Sequence, residues 1–136
     1  MPHTKIINTM MANDFFSQWL GVIILEQKEG SCKLSITIRK DMLNGFGIAH
    51  GGITYSLADS ALAFASNSKG RKSVSIETSI SHLVSLKEND ELIADAFCET
   101  ETEKLGHYKV NLFLKNDPTK IVALFKGIVY KTSKEW

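Results

Sequence analysis

The chain is poor in the residues that punctuate, cross-link or anchor a protein. It has two prolines in 136 residues and no stretch rich in Pro, Gly or Ser, so nothing marks a linker, and no repeat of 20 residues or more is visible. One domain over residues 1–136 is expected, with 1–14 a peripheral N-terminal segment and 132–136 a frayed tail. The two cysteines, Cys32 and Cys98, lie far apart without CxxC spacing. That excludes a dense disulfide framework and makes reduced thiols in a cytoplasm the expectation.

No apolar run, residues 22–25 included, approaches the roughly 20 residues that span a bilayer. The N-terminus also lacks the basic stretch and apolar core of a secretory signal. No membrane insertion is expected. Charge of either sign is not in excess: 16 Lys and Arg face 15 Asp and Glu, a net charge of +1, which gives no global attraction for nucleic acid. His3, His82 and His107 are dispersed, and His50 with Asp59 does not make HExxH, so no metal site is expected. GxSxG and Walker-type glycine loops are absent, which removes serine-hydrolase and nucleotide-phosphate mechanisms of those kinds.

What is present is ordinary globular sequence, 43% apolar and 23% charged, which excludes general disorder. Apolar spacing over residues 6–20 predicts a short amphipathic helix interrupted near Asn13 and Asp14. Residues 21–28 read as a strand, Glu29-Gly30 as a turn, and Cys32, Leu34, Ile36 and Ile38 alternate with polar residues as the second strand of a hairpin. A turn-rich connector over 44–52 leads to a helix that begins at Gly51-Gly52 and runs to about Asn67. That helix is apolar nearly all round, with Asp59 its only charged residue, and so is expected to be buried. Strands follow, with Val74, Ile76 and Ile80 on one face, then 92–98, 108–114 and 121–130, separated by turns at 88–90, 105–107 and 116–118. The expected class is α+β: an antiparallel sheet of about five to six strands around a central helix, with a short N-terminal helix.

The chemistry gathers at that helix. A lone carboxylate among alanines and leucines must be hydrogen-bonded, paired or used; Asp59 either satisfies a neighbour such as Tyr55, one turn back, or does chemistry. Gly51 and Gly52 stand at the helix start, where unpaired N–H groups and the helix dipole favour a developing oxyanion. His50 precedes them. Asn44 is suited to hold the connector or orient a water, and Ser75 offers a hydroxyl on the following strand.

The segment NGFGIAHGGITYSLADSA, residues 44–61, resembles the signature of hotdog-fold acyl-CoA thioesterases, in particular the PaaI-like group linked to phenylacetate degradation. The similarity continues through 65–70, the strand beginning at Val74, and residues 90–96, 106–108 and 122–127, covering about 15–131. The resemblance implies a sheet wrapped round the helix, a homodimer as catalytic unit, and usually a dimer of dimers with the acyl-CoA at a subunit interface. It implies that Gly51 polarises the thioester carbonyl, that His50 and Asn44 orient the pocket, and that Asp59 acts as general base or nucleophile with groups of the neighbouring chain. Ser75 would lie across the interface and hold the attacking water. No cofactor is implied beyond the coenzyme A of the substrate.

Relatives often carry a basic residue near positions 102–103. Here residues 88–103 hold seven Asp or Glu and no Lys or Arg. Coenzyme A contacts are therefore assigned to Gly52, Lys69, Arg71, Lys72 and Lys126. The same acidic interval leaves a second expectation open: a non-catalytic acyl-CoA-binding or regulatory hotdog protein.

Overall fold

The computed structural model describes residues 1–136. Two short helices, α1 (His3–Asn13) and α2 (Phe15–Leu20), lead into β1 (Ile23–Lys28) and β2 (Ser31–Thr37); a single 3-10 turn, Lys40–Met42, and an irregular loop then reach the central helix α3 (Gly51–Asn67). Four strands complete the chain: β3 (Arg71–His82), β4 (Glu91–Glu101), β5 (Leu105–Leu114) and β6 (Asp117–Glu135). All six strands form one antiparallel sheet in the order β1-β2-β4-β5-β6-β3. The expected fold class therefore stands.

Alternation carries the packing. Cys32, Leu34 and Ile36 of β2 point to the helix side together with Leu92, Ala94 and Ala96 of β4 and Val110 and Leu112 of β5. Leu57, Ala58, Ala61, Phe64 and Ala65 of α3 meet them in one core, the small alanines letting the helix approach the sheet closely. The break between α1 and α2 falls at Asp14, whose Oδ1 accepts the Ser17 N–H at 2.9 Å while its Oδ2 accepts the Ser17 hydroxyl at 2.6 Å. That is an N-cap, which starts a new helix rather than continuing the old one.

Several expectations need correction. Residues 1–14 are not peripheral: α1 begins at His3 and buries Ile6 and Ile7 completely. The tail 132–136 is not frayed, because β6 runs to Glu135 and pairs with Arg71, and the Trp136 N–H donates to the Gly70 carbonyl at 3.0 Å. Gly106 does not mark a turn. It lies inside β5, where a Cβ would sit 2.9 Å from Tyr108 Cε1 and 3.1 Å from Val129 Cγ2, so packing rather than chain reversal requires glycine there. Val74 and Ile76 do not share a buried face: β3 is an edge strand with a register shift between Ser75 and Glu77, and the two side chains are 58% and 60% exposed.

Gly127 of β6 has a comparable constraint. A Cβ there would come 2.6 Å from Leu62 Cδ2 and 3.3 Å from Thr78 Cγ2, and Leu62 is buried in α3. Gly127→Ala is expected to cost about 1–3 kcal/mol through overpacking, read from the midpoint of denaturant unfolding. An unchanged midpoint would mean that Leu62 moves aside freely.

Candidate active site

The loop before α3 is held by its own sequence. Asn44 Oδ1 accepts the N–H of Phe46 at 2.9 Å and of Ile48 at 3.4 Å, and the Asn44 N–H donates to the Ile48 carbonyl at 2.8 Å. The amide side chain thus holds the connector. The loop is tied down at its end by His50 N–H to the Met42 carbonyl and Ala49 N–H to the Leu86 carbonyl, both 2.8 Å.

His50 is the N-cap of α3, and its Nδ1 accepts the Gly52 N–H at 2.9 Å. Nδ1 is thereby committed as an acceptor, which leaves Nε2 as the ring's donor. The cap engages Gly52, one of the two N–H groups expected to face a ligand. Gly51 is different: at the first helical position its N–H has no carbonyl one turn back within the helix. It lies against the His82 ring, where a Cβ would stand 3.3 Å from Nε2. Gly51, Asn44, Thr54 and His82 line one cavity of about 230 Å³ at the positive end of the 17-residue helix. His50 is not on that lining.

Asp59 faces a second cavity of about 440 Å³, lined also by Met10, Val74, Ser75, Lys72 and Trp136. Its carboxylate is half-buried and has no partner within the chain. Tyr55, the neighbour that could have held it, bonds the Thr78 hydroxyl instead and sets its ring edge-on to Phe125 at 5.5 Å. Burial pushes the Asp59 carboxyl above the usual carboxylate range, and the charge of Asp14 adds to the rise. Asp14 is brought near by a relay of hydroxyls, since Ser17 and Ser60 share a buried hydrogen bond of 2.8 Å. Ser75 lines the same cavity as Asp59 within one chain.

The assigned cations separate sharply. Lys69 Nζ sits 2.8 Å from Glu101 Oε1, and Lys131 takes the other oxygen at 3.2 Å. Arg71 donates to the carbonyls of Thr132, Lys131 and Glu103 at 2.8–2.9 Å, and its guanidinium pairs with the Glu103 carboxylate at 3.4 Å. The acidic interval and the basic turn therefore answer one another, with Lys69 and Arg71 fastening the ends of β3, β4 and β6. Lys72 has no ion pair; its Nζ stands 5.0 Å from the Trp136 ring centroid at the Asp59 cavity. Lys126 belongs elsewhere, to a cavity of about 170 Å³ with Glu77, His107 and Lys109.

Of the expected residues, the fold thus gathers Asn44 and Gly51 in one cavity and Asp59, Ser75 and Lys72 in another. His82, Thr54, Met10 and Trp136 join these sites without a sequence signal. No group of three or more His, Cys, Asp and Glu residues is arranged to hold a metal ion, and no helix is long and apolar enough to cross a membrane.

A six-stranded antiparallel sheet against one central helix, here with an open glycine N–H at the helix start and an unpaired carboxylate two turns on, is the hotdog fold of thioesterases. Residues 46–121 match the model of the thioesterase superfamily, and the chain belongs to that family. A relative from Archaeoglobus fulgidus is 36% identical over 132 residues, 97% of this chain and 84% of that protein. The acyl-coenzyme A thioesterase PaaI of Escherichia coli is 35% identical over 120 residues, 88% of this chain and 84% of its own. The solved structure of E. coli PaaI, from the phenylacetic acid degradation operon, superposes with a TM-score of 0.93, covering 98% of this chain and 95% of that one at 31% identity. A point mutant of the phenylacetic acid degradation protein PaaI from Thermus thermophilus gives a TM-score of 0.82 at 32% identity, over 88% of this chain and all of that one.

Proposed function

We propose that this chain hydrolyses acyl-CoA thioesters, compact aromatic acyl groups of the phenylacetyl type included, to the free acid and coenzyme A. The observation that carries this reading is Asp59: a half-buried carboxylate without a partner, facing a cavity in a thioesterase fold. The Gly51 N–H donates to the thioester oxygen, and the dipole of α3 stabilises the charge that develops there. Asp59 takes a proton from a water held by Ser75. The water oxygen bonds to the thioester carbon, the C–S bond breaks on collapse of the tetrahedral intermediate, and Asp59 returns the proton to the departing thiolate. Direct attack by Asp59 would instead expel the thiolate and form an anhydride that water then opens; a single turnover would release coenzyme A ahead of the acid, with an acyl adduct on Asp59 visible by mass, whereas the general-base route releases both together. Asn44 and His50 act by holding the loop and the helix cap.

Within one chain the Gly51 and Asp59 cavities are separate. The reading therefore requires a second copy. The exposed Val74 and Ile76 on the unpaired edge of the twelve-residue β3 suit antiparallel pairing of two sheets into a C2 dimer. Gly51 of one protomer then serves Asp59 of its partner, and two such dimers form the tetramer. Lys72 is free of an ion pair but stands against the Trp136 ring in the Asp59 cavity, so it belongs to that wall and not to a coenzyme A phosphate site. Two free thiols and a coenzyme A ester as substrate fit a cytoplasmic enzyme.

The test is release of free thiol from a panel of phenylacetyl-, benzoyl-, hexanoyl- and decanoyl-CoA. Turnover on at least one supports an enzyme; binding of every ester without release would select a non-catalytic acyl-CoA-binding protein. The ionisation of Asp59 gives a further expected result. The base works only when ionised, so kcat/KM falls as pH drops through a value raised first by burial and then by Asp14. Asp14→Asn keeps an effective N-cap and removes that charge, so the acid limb moves to lower pH. A limb that stays in place would mean that Asp14 does not act on the base.

A further inference from the structure

The Asp59 cavity has a wall whose construction the thioesterase chemistry does not explain. β6 continues past its pairing with β5 as far as Glu135, and its end is fastened repeatedly: Arg71 donates to the Lys131 and Thr132 carbonyls, the Thr132 hydroxyl donates to the Lys72 carbonyl at 2.6 Å, and the Trp136 N–H reaches the Gly70 carbonyl at 3.0 Å. The indole itself is held. Its Nε1–H donates to Asn67 Oδ1 at 2.9 Å, and Asn67, at the buried end of α3, is fixed by donating to the Ala63 and Ser73 carbonyls at 2.9 and 3.0 Å. Lys72 covers the ring from one side.

With its polar edge satisfied and its backbone pinned, the Trp136 ring is a rigid apolar surface in the same cavity as Met10, Leu62, Val74, Val129 and Asp59. A preorganised wall of this kind discriminates by size, because a longer chain must displace it while a short one need not. The cavity volume of about 440 Å³ falls within the range of small-ligand sites.

We infer that Trp136 is a specificity-determining residue: it closes the acyl end of the Asp59 cavity and limits the length of the acyl group that reaches the carboxylate. The inference rests on the proposal that Asp59 acts on an acyl-CoA. The Trp136 ring stands with Leu62, Val74 and Val129 on the lining, an apolar wall, so the excluded groups are long alkyl chains rather than charged ones.

The experiment combines specificity with a readout that does not depend on turnover. Wild-type protein should prefer phenylacetyl-CoA over decanoyl-CoA. Trp136→Ala should change the ratio of their kcat/KM values toward decanoyl-CoA by about tenfold or more, the scale set by one or two methylenes of pocket space, largely through KM. Trp136→Phe, which keeps an aromatic wall without the N–H, should retain the wild-type preference for phenylacetyl-CoA. An unchanged ratio in Trp136→Ala would overturn the inference.

Trp19→Phe leaves Trp136 as the sole tryptophan. Its emission should shift on adding a non-hydrolysable thioether analogue of phenylacetyl-CoA and stay unmoved with coenzyme A alone; no shift, or equal shifts with both, would overturn the inference. Turnover surviving in Asp59→Asn would defeat the role of Asp59 and leave the fluorescence result standing, so the two failures are distinguishable.

Discussion

Asp59→Asn is expected to lose about 10²–10⁴-fold in kcat on the best acyl-CoA while the fold becomes no less stable. Two independent features set the sign of the stability change. The carboxylate has no partner within the chain to lose, since Tyr55 bonds Thr78. Burial, and then Asp14, also raises its ionisation above the usual range, so the folded chain holds this proton more tightly than the unfolded chain does. The associated stability is complete below the unfolded value and is lost as pH rises through the folded one. Above the folded value the ionised Asp59 therefore weakens the fold, and asparagine relieves it. Thermal melting at pH 7 should show a midpoint equal to or above that of the wild type. A lower midpoint with unchanged turnover would make Asp59 a structural residue.

The second large effect is expected at the sheet edge. Ile76 is 60% exposed on β3, and a charge placed there opposes edge-to-edge pairing, as natural edge strands show. Ile76→Lys should sediment as a monomer, keep the far-ultraviolet circular dichroism of the wild type, and lose turnover to about the level of Asp59→Asn, because Gly51 and Asp59 of one chain open on separate cavities. A monomeric variant with full activity would mean that a single chain completes the site.

The hairpin and the central helix are legible in the sequence because their signals are local. Period-two alternation from Cys32 to Ile38 and the all-round apolar character of 53–67 follow from neighbours a few residues away, and the motif from Asn44 to Asp59 lies on one connector and one helix. What escapes is non-local. Glu101 and Glu103 read as an acidic run, yet their partners Lys69 and Arg71 lie 32 residues earlier, and only the pairing of strand ends brings them together. Trp136 reads as the end of a loose tail although its indole bonds Asn67, 69 residues away. His82 stands at no metal-ligand spacing in the sequence, and its position against Gly51 depends on how the end of β3 meets the start of α3. Gly106 reads as a turn because glycine's conformational freedom is visible in sequence, whereas its close approach to Tyr108 and Val129 is not. Val74 and Ile76 follow the strand pattern, but a chain cannot announce which of its strands will be an edge.

In the proposed dimer, Gly51 of one protomer and Asp59 of the other complete each site. Subunit complementation tests this most directly. Asp59→Asn and Gly51→Val proteins, each inactive as a homodimer, are unfolded together and refolded as a mixture, and thiol release from phenylacetyl-CoA is measured. A shared site predicts that the mixture regains turnover that neither parent has, since each mixed dimer contains one intact pairing of Gly51 with Asp59. A mixture containing mixed dimers that stays as inactive as its parents would contradict it.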